Sequence, residues 1–286
     1  MLALVVGVRG AAAAEYRSIK DFRAAAESVN RYIEKYGADH VLLVVDIDNT
    51  VLAMNRPLGS DQWFEWQDYL LKNEPDSPYL VAKNFDGLLE VQGLLYNLGR
   101  MHPPQPDLPE IIKQIQRRGI DTLVLTSRGD EFRAATEREL KRNGYDFART
   151  ALPTRDVRSD CYLPYDLKNI KASGLKVVEA AAFELGPAKS VSYSNGIMMT
   201  SGQHKGAMLL TLLGRSDRTV KAVIYVDDHE RHVARVFAAL SGRGIDATTF
   251  HYQAEDKNVK GFQYGSKDDV TRRWHQLSDT LEKVFD

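Results

Sequence analysis

The sequence predicts an α/β protein whose three-layer core is built on a parallel sheet. Three runs carry that prediction: Val41-Leu42-Leu43-Val44-Val45, Thr122-Leu123-Val124-Leu125 and Ala222-Val223-Ile224-Tyr225-Val226. Each is short, largely apolar and bounded by polar residues, the pattern of a strand buried on both faces. Helical patterns separate them, and that alternation implies a parallel sheet covered by helices. Each run also ends in a polar cluster: Asp46-Ile47-Asp48, Thr126-Ser127-Arg128 and Asp227-Asp228-His229. Parallel sheets bind ligands beyond the carboxyl ends of their strands, so all three clusters fall on the binding edge.

The elements follow in order. Leu2 to Val8 is apolar and Ala11 to Ala14 is a small-residue stretch before Glu15. This pattern predicts the end of a secretory signal peptide over 1–14, cleaved near Ala14, and hence a periplasmic or secreted protein. The alternative is a frayed terminus on a cytoplasmic one. The run is too short to span a bilayer, and no later segment is long enough. Residues 18–37 read as an amphipathic helix capped by Ser18, with Phe22, Ala25, Val29, Tyr32 and Ile33 at helical spacing and Gly37 as its stop.

Residues 52–105 interrupt the alternation. They hold an aromatic helix, with Ser60 as N-cap and Trp63, Trp66, Tyr69 and Leu70 along it, and Pro103-Pro104-Gln105-Pro106 leads back. We expect a small helical cap here, inserted between two core segments, 15–51 and 106–286. Helical patterns over 108–118 and 131–143 flank the second strand, and those over 205–213 and 230–240 flank the third. Residues 150–203 form a turn-rich excursion ending in a hairpin signal, Asn195-Gly196 between apolar flanks.

Bulk properties exclude several classes. Of 286 residues, 43% are hydrophobic and 27% charged, an ordinary globular composition. Basic and acidic residues number 38 and 39, for a net charge of -1. That balance gives no electrostatic case for a nucleic-acid partner. The single cysteine, Cys161, excludes an intramolecular disulfide and a multi-cysteine zinc site.

The chemistry concentrates at the strand ends. Asp46-Ile47-Asp48-Asn49-Thr50 ends the first strand, Thr126 the second and Asp227-Asp228 the third, while Lys205 opens a helix. In this order and context the set resembles the four motifs of the haloacid dehalogenase-like (HAD) hydrolases, over roughly residues 40–240. Leu58-Gly59-Ser60-Asp61-Gln62-Trp63 and Gly202-Gln203-His204-Lys205-Gly206 look like a bacterial, often exported branch of that superfamily with poorly defined substrates. The resemblance implies a Rossmann-like three-layer core of the HAD type, with the cap inserted after the first motif.

It also implies a magnesium-dependent phosphomonoesterase that forms a phosphoryl-aspartate. Asp46 would attack phosphorus, splitting a very slow hydrolysis into two steps. Asp48 would protonate the leaving oxygen and then activate water; its backbone carbonyl is a metal ligand in the superfamily. Mg2+, a hard ion, suits oxygen ligands from Asp46, Asp48, Asp228 and Asp227, with Asp228 the better direct ligand. Lys205 would offset the remaining charge and Thr126 would donate to a phosphoryl oxygen. Ser127 and Arg128 are candidate substrate contacts; Arg128 could instead brace the loop. His229 and His232 invite a metal reading, although a polar helix start explains them; Trp63 and Trp66 could stack on a substrate, although packing within the cap is the more usual job of such a stripe.

Two alternatives share the fold: a phosphotransferase with the same intermediate, and a catalytically silent binding protein. The cap suggests small or medium phosphorylated substrates, and an open one would admit a phosphorylated protein side chain.

Overall fold

A computed structural model describes residues 14–155 and 161–285. The expected signal peptide, except Ala14, lies outside the described residues. Ala14 opens strand β1 (Ala14–Ile19), which pairs in parallel with the last strand of the sheet. Ser18 therefore lies in a strand, opposite His251, and caps no helix. Helix α1 (Arg23–Tyr36) begins later, and Gln105 Oε1 accepts from the Phe22 N–H at its start, 2.9 Å away.

Strand β2 (Val41–Val45) is the central strand and is buried along its whole length. The chain then leaves the core through β3 (Ala53–Met54), forms α2 (Asp61–Asn73) and α3 (Phe85–Leu98), and returns through β4 (Met101–His102). β3 and β4 pair antiparallel, so a two-stranded ribbon closes the neck of this insertion. Ser60 caps α2, its Oγ accepting from the Trp63 N–H at 3.3 Å, and Asn84 caps α3 in the same way.

Helix α4 (Leu108–Gln116), strand β5 (Asp121–Thr126) and helix α5 (Arg133–Arg142) come next, then α6 (Val177–Ala182). The hairpin β6 (Ser192–Ser194) and β7 (Ile197–Met199) turns at Asn195 and Gly196, both at positive φ, 52° and 75°. This is the conformation that Asn-Gly is suited to supply. The excursion is thus partly core: β7 pairs in parallel with β5, and β6 forms the antiparallel edge.

Helix α7 (Lys205–Leu213), strand β8 (Ala222–Asp227), helix α8 (Glu230–Ser241) and strand β9 (Asp246–Tyr252) complete the sheet. Its order is β1-β9-β8-β2-β5-β7-β6, parallel except for β6. Alternate residues of β2 serve opposite layers. Val41, Leu43 and Val45 pack with α1 and α4, whereas Leu42 and Val44 pack with α7 and α8. The protein is therefore α/β, with a mostly parallel seven-stranded sheet between helical layers.

The last two helices among the described residues are α9 (Asp256–Tyr264) and α10 (Asp268–Phe285). Phe262 and Val270 cluster with Trp63, Leu88 and Leu95, so the chain's end packs against the insertion. Among the described residues no helix is long and apolar enough to cross a membrane.

Candidate functional site

The carboxyl ends of β2, β5 and β8 lie side by side. Beyond β2 the Asp46 N–H donates to the Val226 carbonyl at 3.0 Å, extending the ladder by one residue. The Ile47 carbonyl then accepts from the N–H groups of Thr50, Val51 and Leu52, and Asn49 takes φ 55°. This tight turn buries Ile47 in the core while Asp46 and Asp48 both line a cavity of about 440 Å³.

Asp46 is buried, and Lys205 Nζ stands 2.5 Å from its Oδ1 and 2.7 Å from Asp227 Oδ2. Several neighbours hold Lys205 there. Gln203 exchanges two hydrogen bonds with the Lys189 backbone, and the Gly202 N–H donates to the Ser127 carbonyl at 2.8 Å. His204 Nδ1 accepts from the Ala207 N–H at 3.1 Å, capping α7, and its ring stacks on Phe183. Burial and the charge of Arg235 lower the His204 pKa to about 4, which suits a neutral, accepting ring. Gly206 lets α7 approach α8, since a Cβ there would meet the Arg235 carbonyl oxygen at 2.5 Å.

The adjacent aspartates differ. Asp227 Oδ2 accepts from Lys205 and from the Tyr225 hydroxyl, and Oδ1 accepts from the His229 N–H at 2.8 Å. Burial pushes its pKa up, but Lys205 and these donors pull it below the usual carboxylate value. Asp228 Oδ2 accepts from Asn49 Nδ2 at 3.2 Å, and its N–H donates to Thr50 Oγ1 at 3.0 Å. Its Oδ1 is buried and has no hydrogen-bond partner among the described residues. Burial raises the Asp228 pKa well above normal, and it raises Asp46 to about 7 against the pull of Lys205.

Asp46, Asp227 and Asp228 each offer an oxygen within 4.8 Å of the others, a group that could hold a metal ion. The all-oxygen donors suit a hard divalent cation, and the orphaned Asp228 Oδ1 is a vacant ligand atom facing that role. Asp227 has both oxygens engaged by protein donors.

Asp48 does not join this group through its carboxylate. Arg128 grips it at both oxygens, Nε to Oδ2 at 2.9 Å and Nη2 to Oδ1 at 2.7 Å. Arg128 Nη1 also donates to Thr136 Oγ1 at 2.8 Å, and the guanidinium lies 3.9 Å over the Tyr96 ring. Arg128 thus braces the turn that carries Asp46 and Asp48. Arg128 also lines the cavity, so the expectation that it contacts substrate stands beside this bracing role. Thr126 and Ser127 do line the cavity, and the Arg128 N–H donates to Thr126 Oγ1 at 3.2 Å, leaving the threonine hydroxyl proton to donate.

A family model described as a protein of unknown function (DUF2608) matches residues 23–285. The chain belongs to the DUF2608 family. No curated protein matches it. The matched span takes in the insertion, the core and every site residue described above.

In this DUF2608 chain the insertion is tied to the core directly over the site. His229 Nε2 lies 2.9 Å from Asp61 Oδ2 and 3.7 Å from Glu65, and these three form a second group with metal-ligand spacing. Burial opposes a charge on His229, but its hydrogen bond to Asp61 prevails and raises its pKa to about 11. Burial and Lys205 instead lower His232 to about 3. Gln62 Oε1 accepts from Asn49 Nδ2 at 3.4 Å, the same amide that reaches Asp228. Trp63 is buried in the insertion and Trp66 packs on Phe262, so neither is a cavity ring. The rings that do reach the cavity, Phe64, Phe85, Tyr96 and Phe132, escaped the sequence analysis, as did the roles of Tyr225 and Asp61. Asp61 was visible inside the Leu58–Trp63 motif but had no role until its partner was placed.

Proposed function

We propose that this protein is a magnesium-dependent phosphomonoesterase of the haloacid dehalogenase-like type, working through a phosphoryl-aspartate on Asp46. One observation carries the reading: a buried Asp46, 2.5 Å from Lys205, belongs to the metal-capable trio and faces an open cavity.

Lys205 occupies Asp46 Oδ1, which leaves Oδ2 as the attacking oxygen. Burial strips water from the carboxylate and so favours its bond to phosphorus over a free charge. As the phosphorus–Oδ2 bond forms, the ester P–O bond breaks and the leaving oxygen takes a proton from Asp48. In the second step water attacks phosphorus, Asp48 removes its proton, and Asp46 is released with inorganic phosphate. Each Asp48 oxygen accepts one N–H from Arg128 and keeps a second lone pair for the proton. Thr126 donates to the phosphoryl oxygens throughout, an interaction that costs about 2.7–4 kcal/mol of transition-state stabilisation when such a donor is lost. Magnesium held by Asp46 and Asp228, with Asp227 behind them, would supply the charge that lets a phosphate dianion approach these carboxylates.

The test is Asp46→Asn. We expect it to abolish magnesium-dependent phosphate release from an aryl phosphate while the protein stays folded. Undiminished release sinks the mechanism.

A further inference from the structure

The cavity is larger than a phosphoryl group requires. Its volume of about 440 Å³ lies within the range of roughly 300–1,000 Å³ that encloses whole small molecules. The floor comes from the strand ends, and Phe64, Phe85, Tyr96 and Phe132 set aromatic rings into walls that also carry Asp61 and Glu65.

Phe64 packs on the edge of the insertion's apolar cluster, whereas Phe85 stands outside it. Helix α2 buries Trp63 and Leu70 in its own packing, and α3 buries Leu88 and Leu95. Phe64 and Phe85 instead meet edge to face across the two helices, centroids 6.1 Å apart. Phe85 keeps 44% of its surface exposed. A large ring left wet has lost its hydrophobic stabilisation, at about 25 cal/mol for each Å² still facing water. Set on the wall of a cavity, it offers that surface to a ligand.

We infer that Phe64 and Phe85 receive the body of the substrate, and that the substrate is a phosphomonoester carrying a flat aromatic group. This rests on the phosphatase reading for the ester but not for the aromatic preference. Two sources share the chemistry: an aryl phosphate, with its ring on the ester oxygen, and a nucleoside monophosphate, with its ring one sugar away.

Binding separates the inference from the catalytic reading. In magnesium, phenylphosphonate should bind at least about tenfold more tightly than methylphosphonate by calorimetry, and Phe85→Ala should remove most of that difference. Phe85→Leu, which keeps an apolar side chain, should retain part of it and guards against misfolding. Equal affinities, no binding of either compound, or an unchanged preference in Phe85→Ala overturns the inference. In turnover, kcat/KM for phenyl phosphate and for a nucleoside 5′-monophosphate should be compared with that for glycerol phosphate. The Phe85→Ala change should lower at least one aromatic-to-glycerol ratio about tenfold, and the ratio that falls further identifies the source. If both ratios stay constant, the aromatic site is refuted. Selective phosphonate binding without any turnover supports the aromatic site and refutes the phosphatase reading alone.

Discussion

Arg128 holds Asp48 by both carboxylate oxygens while its guanidinium face lies on Tyr96 of the insertion. The residue proposed to shuttle the proton is therefore connected, through one buried cation, to the element that roofs the site. A bidentate grip fixes the carboxylate plane as well as its position, which a single donor cannot do.

Removing the grip gives the first prediction. Arg128→Ala leaves Asp48 without its partner in a nearly buried setting, a change that costs several kcal/mol when a buried pair is broken. We expect kcat to fall about 100-fold, equivalent to about 2.7 kcal/mol in the barrier, with a lower melting temperature. Arg128→Lys should restore some stability but little kcat, because an ammonium is a point donor. Steady-state kinetics alongside thermal melts decide it. A full kcat in Arg128→Ala excludes Asp48 positioning as the role.

The second prediction concerns cation binding. Asp46 titrates near 7 in the metal-free protein because burial disfavours its charge. Its folded pKa is raised above the unfolded value, so its stability contribution is complete below about pH 4 and is lost as pH rises through about 7. A cation needs the deprotonated form and competes with that proton. Magnesium affinity should therefore rise with pH up to at least about 7, by up to about tenfold per unit for each of Asp46 and Asp228 that must lose a proton. Asp228→Asn should weaken magnesium binding at every pH, since Oδ1 is the oxygen left without a protein donor. Calorimetric titrations across this range test both, and a flat profile in the wild type excludes the Asp46 coupling.

What the sequence revealed depended on how each element is buried. β2, β5 and β8 are enclosed on both faces, so hydrophobic runs marked them and the polar clusters at their ends. β9 was missed although nearly all of it is buried, because its interior is polar and paired: Thr248 Oγ1 meets the Tyr32 hydroxyl at 3.0 Å and Asp246 accepts from Lys35 and Tyr36. β1 was missed because half of it is exposed and its order comes from pairing with β9. The same limit applied at the site. Asp46 and Lys205 stood in recognisable motifs, whereas the Asp61–His229 and Arg128–Asp48 pairs join residues 168 and 80 positions apart. The placement of the insertion makes Asp61 and His229 partners, and the pairing of β2 with β5 brings Arg128 to Asp48.

The Asp61–His229 pair gives the third prediction. His229 has a folded pKa of about 11, above the ordinary histidine value of about 6.5. Its stabilisation is therefore complete below about pH 6.5 and is lost as pH rises through about 11. His229→Gln should lower stability by about 2 kcal/mol at pH 6, the scale of a hydrogen bond to a charged group. The wild type and variant should converge towards pH 11. Denaturant unfolding at several pH values tests this, and a gap that stays constant excludes a charged His229.

The fourth prediction contrasts two helical glycines. At Gly206 a Cβ would sit 2.5 Å from the Arg235 carbonyl oxygen and 2.8 Å from Ala239 Cβ, contacts that only a shift of α7 from α8 can relieve. Gly206→Ala should cost about 1–3 kcal/mol as overpacking. It should also lower kcat, because the shift begins one residue from Lys205 and draws its ammonium from Asp46 and Asp227. At Gly261, within α9, a Cβ meets nothing within 4 Å. Gly261→Ala should therefore stabilise the protein by about 0.5–1 kcal/mol, through helix propensity and a less flexible unfolded chain, with kcat unchanged. Melting curves and kinetics on both variants provide the check. A Gly206→Ala protein with wild-type stability and turnover would show that α7 and α8 can part without disturbing Lys205, and the close helix approach would lose its place in the site.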